Sequence, residues 1–450
     1  MSPRRRATSP LRRHPADREI WRLALPALGA LVAEPLFLLT DTAIVGRLGT
    51  DALAALGVAS VILTTIISVS IFLAYGTTAA VARTSGAGDM ARALRQGVDG
   101  CWLALVVGLL FLVVGLPLAG PAVSWFGPTD AVAELAVTYL RISLIGVPAM
   151  LLVLAGTGVL RGLLDTRTPL VVSGLGAIGN ALLNVLLVHG AGWGIAGAAI
   201  GTVIAQTAMA AAFLRVVIRG ARSHDVSWGP DWSGVRAAFG AGVPLIVRTV
   251  TMRVVALAAT AVVTSMGTAE LAAHQVVYTT WSLLALVLDA VAIAAQALVG
   301  RALGAGDVSQ VHSITTRMVQ WGVLVGTGLG VVVLAAGSIY AQIFTPDADV
   351  RALIVVALIV AAITQPIAGW VFVLDGVLIG AGDAPYLAWA SVISVATFTP
   401  VAVGVGIAGV DGRPGMVAIW VAIGVWMLAR WVTLALRARG DAWIVTGSTR

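Results

Sequence analysis

Ionisable residues are rare inside the apolar stretches of this 450-residue sequence, so each one is a candidate for chemistry. Asp41 lies six residues before Arg47, which places it about 9 Å inside the end of its stretch if that stretch is helical. Surroundings of low dielectric favour the neutral form of a carboxyl group, so such a group can take up a proton near neutral pH. Asp41 is therefore a candidate for reversible binding of a proton or cation, and a structural role at the helix end is the alternative.

Pro35 lies six residues before Asp41 in the same stretch. Proline leaves a backbone carbonyl of the preceding turn unpaired and permits a kink in a helix. Pro35 is therefore a predicted hinge, through which protonation of Asp41 could be coupled to a change of helix shape.

Four neutral polar residues lie at a depth comparable to that of Asp41 in other apolar stretches of the first half. Asn180 and Asn184 are four residues apart and share one face of a helix, and the other two are Tyr139 and Thr202. Amide and hydroxyl groups can hold a carboxyl group that gains and loses a proton, or can coordinate sodium through oxygen. The alternative is that they only hydrogen-bond neighbouring helices together.

The composition indicates that most of the chain lies in lipid. Hydrophobic residues make up 59% and charged residues 11%, the mean hydropathy is +0.98, and a soluble chain carries about 25% charged residues. The apolar runs do not alternate, which favours helices over barrel strands. We predict an all-α integral membrane protein with twelve transmembrane helices, near residues 20–45, 54–82, 98–120, 130–160, 168–189, 193–219, 241–266, 272–300, 313–339, 348–380, 385–408 and 414–436.

The 28 basic residues are all arginines, and they are distributed unevenly between the two sides of these spans. Twenty-two fall in the N-terminal segment, the C-terminal segment and the loops on the same side, including the cluster from Arg4 to Arg22, and three fall in the opposite loops. Cytoplasmic loops carry the excess of arginine, so both termini are predicted to be cytoplasmic in a bacterial inner membrane. The net charge of +7 is then a topology signal and does not indicate a nucleic-acid partner.

The two halves of the chain repeat one another at a constant offset. Arg83 with Gly86-Ala-Gly-Asp89 matches Arg301 with Gly304-Ala-Gly-Asp307, and Pro26 matches Pro244 (244 − 26 = 218). Each repeat holds six spans, an even number, so the repeats insert in parallel as two six-helix bundles related by a pseudo-twofold axis. Parallel repeats are typical of secondary transporters, in which two lobes rock about a central site.

These boundaries predict four regions. They are a basic cytoplasmic N-terminal segment at 1–19, an N-lobe with helices 1–6 at 20–220, a cytoplasmic linker at 221–236 and a C-lobe with helices 7–12 at 237–450.

The second half does not repeat the chemistry of the first, because the counterpart of Asp41 is Ala259. Arg248, Asp289 and Asp375 lie at a similar depth in the inner half of their spans, and we predict an ion-paired set that is structural, part of a gate or a second coupling site. In the first half, Arg141 is two residues from Tyr139 and points about 200° away on a helix, so a structural role is favoured for it.

Enzymatic activity is not indicated by any motif. The sequence has no lysine, and therefore no phosphate-binding Gly-x-x-x-x-Gly-Lys loop, and its five histidines lack metal-ligand spacing. We expect no cofactor or metal other than a coupling ion, H⁺ or Na⁺. The expected partners are membrane lipids and a small amphipathic substrate, and a monomer is sufficient.

Several motifs together resemble the multidrug and toxic compound extrusion (MATE) family, in particular its branch named after the DNA-damage-inducible protein F. They are Asp41-Thr-Ala-Ile-Val-Gly-Arg-Leu-Gly, Val159-Leu-Arg-Gly-Leu-Leu-Asp-Thr-Arg-Thr-Pro, Asn180-x-x-x-Asn184, Gly194-Ile-Ala-Gly-Ala-Ala-Ile-Gly-Thr202, Leu288-Asp289 and Asp375-Gly-Val-Leu-Ile-Gly380. The resemblance covers essentially all twelve spans.

The resemblance implies two six-helix bundles with a central cleft, and export of amphipathic, often cationic, drugs against entry of protons or sodium. It also implies that Asp41, Tyr139, Asn180 and Thr202 match the family's cation-binding positions in the N-lobe. Related proteins often carry aspartate where this chain has Asn184, and one carboxylate fewer favours protons over sodium. The alternatives are a flippase for a lipid-linked precursor, which would need a strongly basic cavity, and a channel.

Overall fold

The computed structural model describes residues 14–448, and every regular secondary-structure element in this range is a helix. The first half contains α1 (Asp17–Gly46), α2 (Thr50–Ser70), α3 (Phe72–Gly86), α4 (Met90–Ser124), α5 (Asp130–Gly162), α6 (Arg167–Asn184) with a π-helical turn (Val185–Gly190), and α7 (Gly194–Ser223). The second half contains α8 (Trp232–Met266), α9 (Thr268–Gly304), α10 (Val308–Phe344), α11 (Ala348–Gly380), α12 (Ala384–Ala408) and α13 (Gly412–Arg439). The N-terminal part of the predicted basic cluster, residues 4–13, lies outside the described residues.

Within residues 14–448, twelve helical segments are long and apolar enough to cross a membrane. α2 and α3 together form one of these segments, interrupted at Ile71, and α6 with its π-helical turn forms another. The predicted all-α fold with twelve spans is confirmed. The helices extend beyond several predicted spans, because their polar ends continue the backbone hydrogen bonding past the apolar stretch.

Contacts divide the described chain into two compact units. We call residues 26–249, 300–306 and 446–448 the N-unit, and residues 14–25, 250–299 and 307–445 the C-unit. In the N-unit, Val153 and Leu160 of α5 pack with Ala210 and Phe213 of α7 in a buried apolar cluster. The unit boundaries fall inside α1 and α8, and the lobes drawn from the sequence at 20–220 and 237–450 stay a prediction.

The repeat is visible in local geometry. Asp89 accepts a hydrogen bond from the Arg92 amide and caps α4, and its counterpart Asp307 accepts one from the Gln310 amide and caps α10, both at 2.9 Å. An aspartate at this position satisfies an amide that the first helical turn leaves unpaired. The same sequence in each repeat therefore builds the same helix start.

The two repeat-related turns also pack against each other within the N-unit. A methyl group built on Gly86 would overlap the carbonyl oxygen of Arg301, and one built on Gly304 would overlap the carbonyl oxygen of Arg83. Glycine is required at both positions because backbone meets backbone there.

The C-terminal segment of the N-unit is attached to both of these turns. The Gly447 carbonyl accepts hydrogen bonds from Arg83 Nε and Nη2, at 3.3 and 3.1 Å. The Gly447 amide donates to the carbonyl of Leu303 at 3.0 Å, and Thr84 Oγ1 donates to the carbonyl of Ser448 at 3.5 Å. One residue, Gly447, thus connects the turn of the first repeat to that of the second.

The connection between α7 and α8 is held against α4. Arg95 is paired with Asp99 and donates to the carbonyls of Ser227 and Gly229, each at 2.7 Å. At the end of this connection, hydrogen bonds from the hydroxyl and amide of Ser233 hold the pKa of the Asp231 carboxyl below its usual range. The connection is therefore an ordered part of the N-unit.

The first turn of α1 belongs to the C-unit and contacts α10. Asp17 accepts hydrogen bonds from Arg317, at 2.6 and 2.8 Å, and from Trp321 Nε1, at 2.9 Å. The rings of Trp21 and Trp321 meet edge to face with centroids 4.9 Å apart.

Candidate functional site

The Asp41 carboxylate accepts hydrogen bonds from three neutral side chains in the N-unit. Asn180 Nδ2 donates to Oδ1 at 2.8 Å, Asn184 Nδ2 donates to the same oxygen, and Thr202 Oγ1 lies 3.3 Å from Oδ2. Asp41 is 2% exposed, and both asparagines are 0% exposed. We call Asp41, Asn180, Asn184 and Thr202 the Asp41 cluster.

The Thr202 hydroxyl has two acceptors. It lies 3.3 Å from Asp41 Oδ2 and 3.3 Å from Asn180 Oδ1. A hydroxyl has one proton to donate, so this proton can serve either acceptor. Tyr139 of α5 is buried beside the cluster, within electrostatic range of Asp41 and within hydrogen-bonding reach of Thr202.

Helix geometry explains why these residues meet. Asn180 and Asn184 lie one turn apart on α6, so both amides face Asp41 of α1 from one side. Thr202 lies on α7 directly after Gly201, and small residues of α7 allow its backbone to approach the end of α6. Four helices, α1, α5, α6 and α7, therefore position the site.

The α-helix changes to π-helical backbone directly after Asn184. A π-helical turn inserts an extra residue into the helical repeat and is frequent at functional sites. The sequence does not predict this turn, since the residues Val185–Gly190 are ordinary for an apolar helix.

The Asp375 carboxylate of the C-unit has a charged partner. It is paired with Arg430 of α13, and both residues are buried. The sequence predicts an ion-paired set of Asp375 with Arg248 and Asp289, whereas Arg430 falls among the arginines of the C-terminal segment. The partner seen here for Asp375 is Arg430, which lies nine residues before the end of α13.

A second ion pair of the C-unit joins α13 to the residue directly before α12. Arg437 donates to Asp383 at 2.7 Å, and its guanidinium lies over the ring of Tyr386, 4.9 Å from the ring centroid. Neither Arg430 nor Arg437 could be matched to its aspartate from the sequence, because the pairing depends on which helices are neighbours.

The other candidate residues are placed as follows. Pro35 lies inside α1, which remains one continuous helix, and Arg141 is exposed on α5. Arg248 is buried on α8 and Asp289 is half-buried on α9.

Sequence reasoning missed Glu34, an exposed carboxyl residue of α1 two turns before Asp41. An acidic residue inside a span is itself the signal that could have identified it.

The Asp41 cluster can bind a proton at a carboxyl group whose neighbours are neutral. It could also offer oxygens to a cation, from Asp41, the two amides and Thr202. Among residues 14–448, no group of three histidine, cysteine, aspartate or glutamate side chains is placed to hold a metal ion.

Comparison with known families adds an independent observation. The family model MatE matches this chain twice, at residues 26–186 and 244–403. The two matches start 218 residues apart, which is the offset of the internal repeat.

Individual relatives are similar over most of their length. The chain is 32% identical to Protein DETOXIFICATION 44, chloroplastic, of Arabidopsis thaliana, over 83% of this chain and 74% of that protein. It is 28% identical to DNA damage-inducible protein F of Escherichia coli K12, over 93% of this chain and 91% of that protein. Among solved structures, the outward-facing conformation of a multidrug resistance MATE family transporter of the MOP superfamily superimposes with a TM-score of 0.84, at 20% identity, over 94% of this chain and 96% of that one.

Proposed function

This chain belongs to the MatE family, and from that premise we propose that it is a proton-coupled antiporter that exports amphipathic, often cationic, small molecules. Protons would enter through reversible protonation of Asp41, and the two lobes would rock between inward-open and outward-open states. The names of the similar proteins, which refer to detoxification and to multidrug resistance, support the substrate class.

The observation that carries this proposal is the neutrality of the Asp41 partners. Within residues 14–448, the three groups that hydrogen-bond to Asp41 are two amides and a hydroxyl. Protonation of Asp41 therefore leaves no opposite charge uncompensated, and the cluster can hold the carboxyl group in either state.

Asp375 lacks this property. Its partner Arg430 is a buried cation, and removal of one charge from a buried pair costs about 3–5 kcal/mol. Cycling between charged and neutral forms is therefore much less favourable at Asp375 than at Asp41. This contrast supports Asp41 as the proton carrier.

The orientation of the amides supports protons over sodium. Both asparagines present their Nδ2 groups to Asp41, whereas sodium requires oxygen ligands. Sodium binding would require both amides to rotate so that Oδ1 replaces Nδ2 beside Asp41, which would be the single carboxylate of the cluster. A proton requires only the carboxyl group and its present neighbours.

The coupling step would take place in α1. Pro35 lies six residues before Asp41 inside this helix, at a position where the helix can bend without losing a further amide hydrogen bond. We propose that loss of the Asp41 charge weakens the attachment of α1 to α6 and α7 and allows a bend at Pro35.

The test is ethidium efflux from proteoliposomes under an imposed pH gradient and then under a sodium gradient. We expect efflux driven by the pH gradient, and we expect Asp41→Asn to abolish it, because an amide cannot release a proton. Asp130→Asn is the matched control, since it removes an exposed carboxylate at the start of α5 and should leave efflux unchanged.

Two results would contradict the proposal. Efflux driven by sodium alone would reassign the coupling ion. Absence of gradient-dependent efflux from folded protein would make flipping of a lipid-linked precursor the next hypothesis, to be tested with fluorescent lipid analogues.

A further inference from the structure

Gly201 of α7 lies against the side chain of Asn184. A methyl group built on Gly201 would overlap Asn184 Oδ1, and it would lie 3.3 Å from Asn184 Cγ and 3.4 Å from the Asn184 amide nitrogen. One turn earlier on α7, a methyl group on Gly197 would lie 2.9 Å from the carbonyl carbon of Leu187. The two glycines allow the end of α6 and the π-helical turn to pack directly against the backbone of α7.

Asn184 has little freedom to move away from this face. Its side chain is 0% exposed, so neighbouring atoms enclose it, and the hydrogen bond from Nδ2 to Asp41 holds one end of the carboxamide. The carboxamide is planar, so the position of Oδ1 against Gly201 fixes the position of Nδ2 against Asp41. A larger residue at position 201 would therefore act on Asp41 through Asn184.

We propose that Gly201 is a positioning residue of the coupling site. Because Gly201 has no side chain, the Asn184 carboxamide can lie against α7 with its Nδ2 donating to Asp41. This inference rests on the proposed function, because it concerns the carboxyl group that would carry the proton. The groups facing Asp41 from α6 and α7 are neutral, Tyr139 is the titratable group on α5, and Glu34 is the acidic residue two turns away on α1.

The test is a double-mutant cycle of Gly201→Ala and Asn184→Ala in proteoliposomes, with the pH of half-maximal ethidium efflux as the readout. Each single substitution removes a hydrogen bond that favours the charged form of Asp41. Loss of a hydrogen bond to a charged carboxylate should shift this pH by about one to two units toward higher pH. In the Asn184→Ala background, Gly201→Ala should produce no further shift, because the amide on which it acts is gone.

Gly179→Ala is the matched control. Gly179 lies beside Asn180 on α6, and a methyl group there meets no atom within 4 Å. It makes the same chemical change inside a helix of the same site, and it should leave the pH profile unchanged. A residue that only packs helices would alter the amount of folded protein or the maximal rate without moving this profile.

Additive pH shifts in the cycle, or no shift in folded Gly201→Ala, would overturn the inference. If Gly201→Ala does not fold, folding of the double variant is the test. Recovery of folded protein in the double variant would identify Asn184 as the group that the new methyl group overlaps. If neither variant folds, Gly201 is needed for close packing of the helix backbones, and the inference is overturned. Failure of the proposed function is distinguishable, since it appears in the parent as efflux that does not depend on Asp41.

Discussion

Asp41 and Asp375 are both buried carboxyl groups of spanning helices, and their partners give them different properties. Neutral amides and a hydroxyl surround Asp41, so its charge can change. Asp375 is paired with Arg430, so the arginine stabilises its charged form. At the residue scale, the nature of the partner therefore matters more than burial alone.

This difference predicts the stability of the C-unit. Arg430→Met should lower the free energy of unfolding by about 3–5 kcal/mol, because it removes one charge of a buried ion pair. The combined variant Asp375→Leu with Arg430→Met should recover most of this loss, since it removes both charges of the buried pair. Thermal unfolding in detergent, followed by tryptophan fluorescence, measures both, and equal destabilisation by the single and combined variants would contradict the expectation.

Depth along a helix was sufficient to predict which residues of the first half could meet, since Asp41, Asn180, Asn184 and Thr202 were expected at comparable depth and do lie together. Depth could not predict that both amides present nitrogen to the carboxylate. Depth also could not assign Arg430 to Asp375, because the sequence does not distinguish Arg430 from the other arginines near helix ends.

At the scale of elements, the segment after α13 is attached by backbone groups of Gly447. Its φ of +106° is rarely adopted by residues with a side chain. Arg83 and Leu303 bind its carbonyl and amide. These hydrogen bonds therefore depend on the conformation of Gly447.

Gly447→Ala should weaken this attachment by about 1–3 kcal/mol, the usual strain of an unfavourable backbone conformation. We expect faster hydrogen exchange in the peptide that covers residues 441–450. Gly440→Ala is the control, because Gly440 has an ordinary φ of −92° and no close neighbour. Equal exchange in both variants and the parent would show that Gly447 does not hold the segment.

The number and approximate position of the spans could be predicted from apolar runs of about 20 residues. The interruption at Ile71 and the π-helical turn at Val185–Gly190 could not. The residues involved have no special preference for these conformations, so the sequence carries no signal for them.

At the scale of the whole molecule, the distribution of arginines predicts the orientation in the membrane. The loop that holds Ser227 is expected in the cytoplasm, and the loop that holds Thr129 is expected outside. Both residues are exposed, and Cys101 is the only cysteine of the chain.

In a Cys101→Ser background, Thr129→Cys should react with a membrane-impermeant maleimide added to intact cells, and Ser227→Cys should react only after the cells are opened. The reverse pattern would invert the orientation. Labelling of both positions in intact cells would contradict the separation of these loops by a span.

The reciprocal contact of Gly86 with Arg301 and of Gly304 with Arg83 has an evolutionary consequence. Residue i of one repeat touches residue j of the other, and j touches i, which is the definition of an isologous interface. Two copies of a single six-helix half could form this contact with each other by twofold symmetry before a duplication joined them in one gene. After such a fusion, each half is free to diverge at positions away from the axis, and Asp41, whose counterpart in the second repeat is Ala259, is one such divergence.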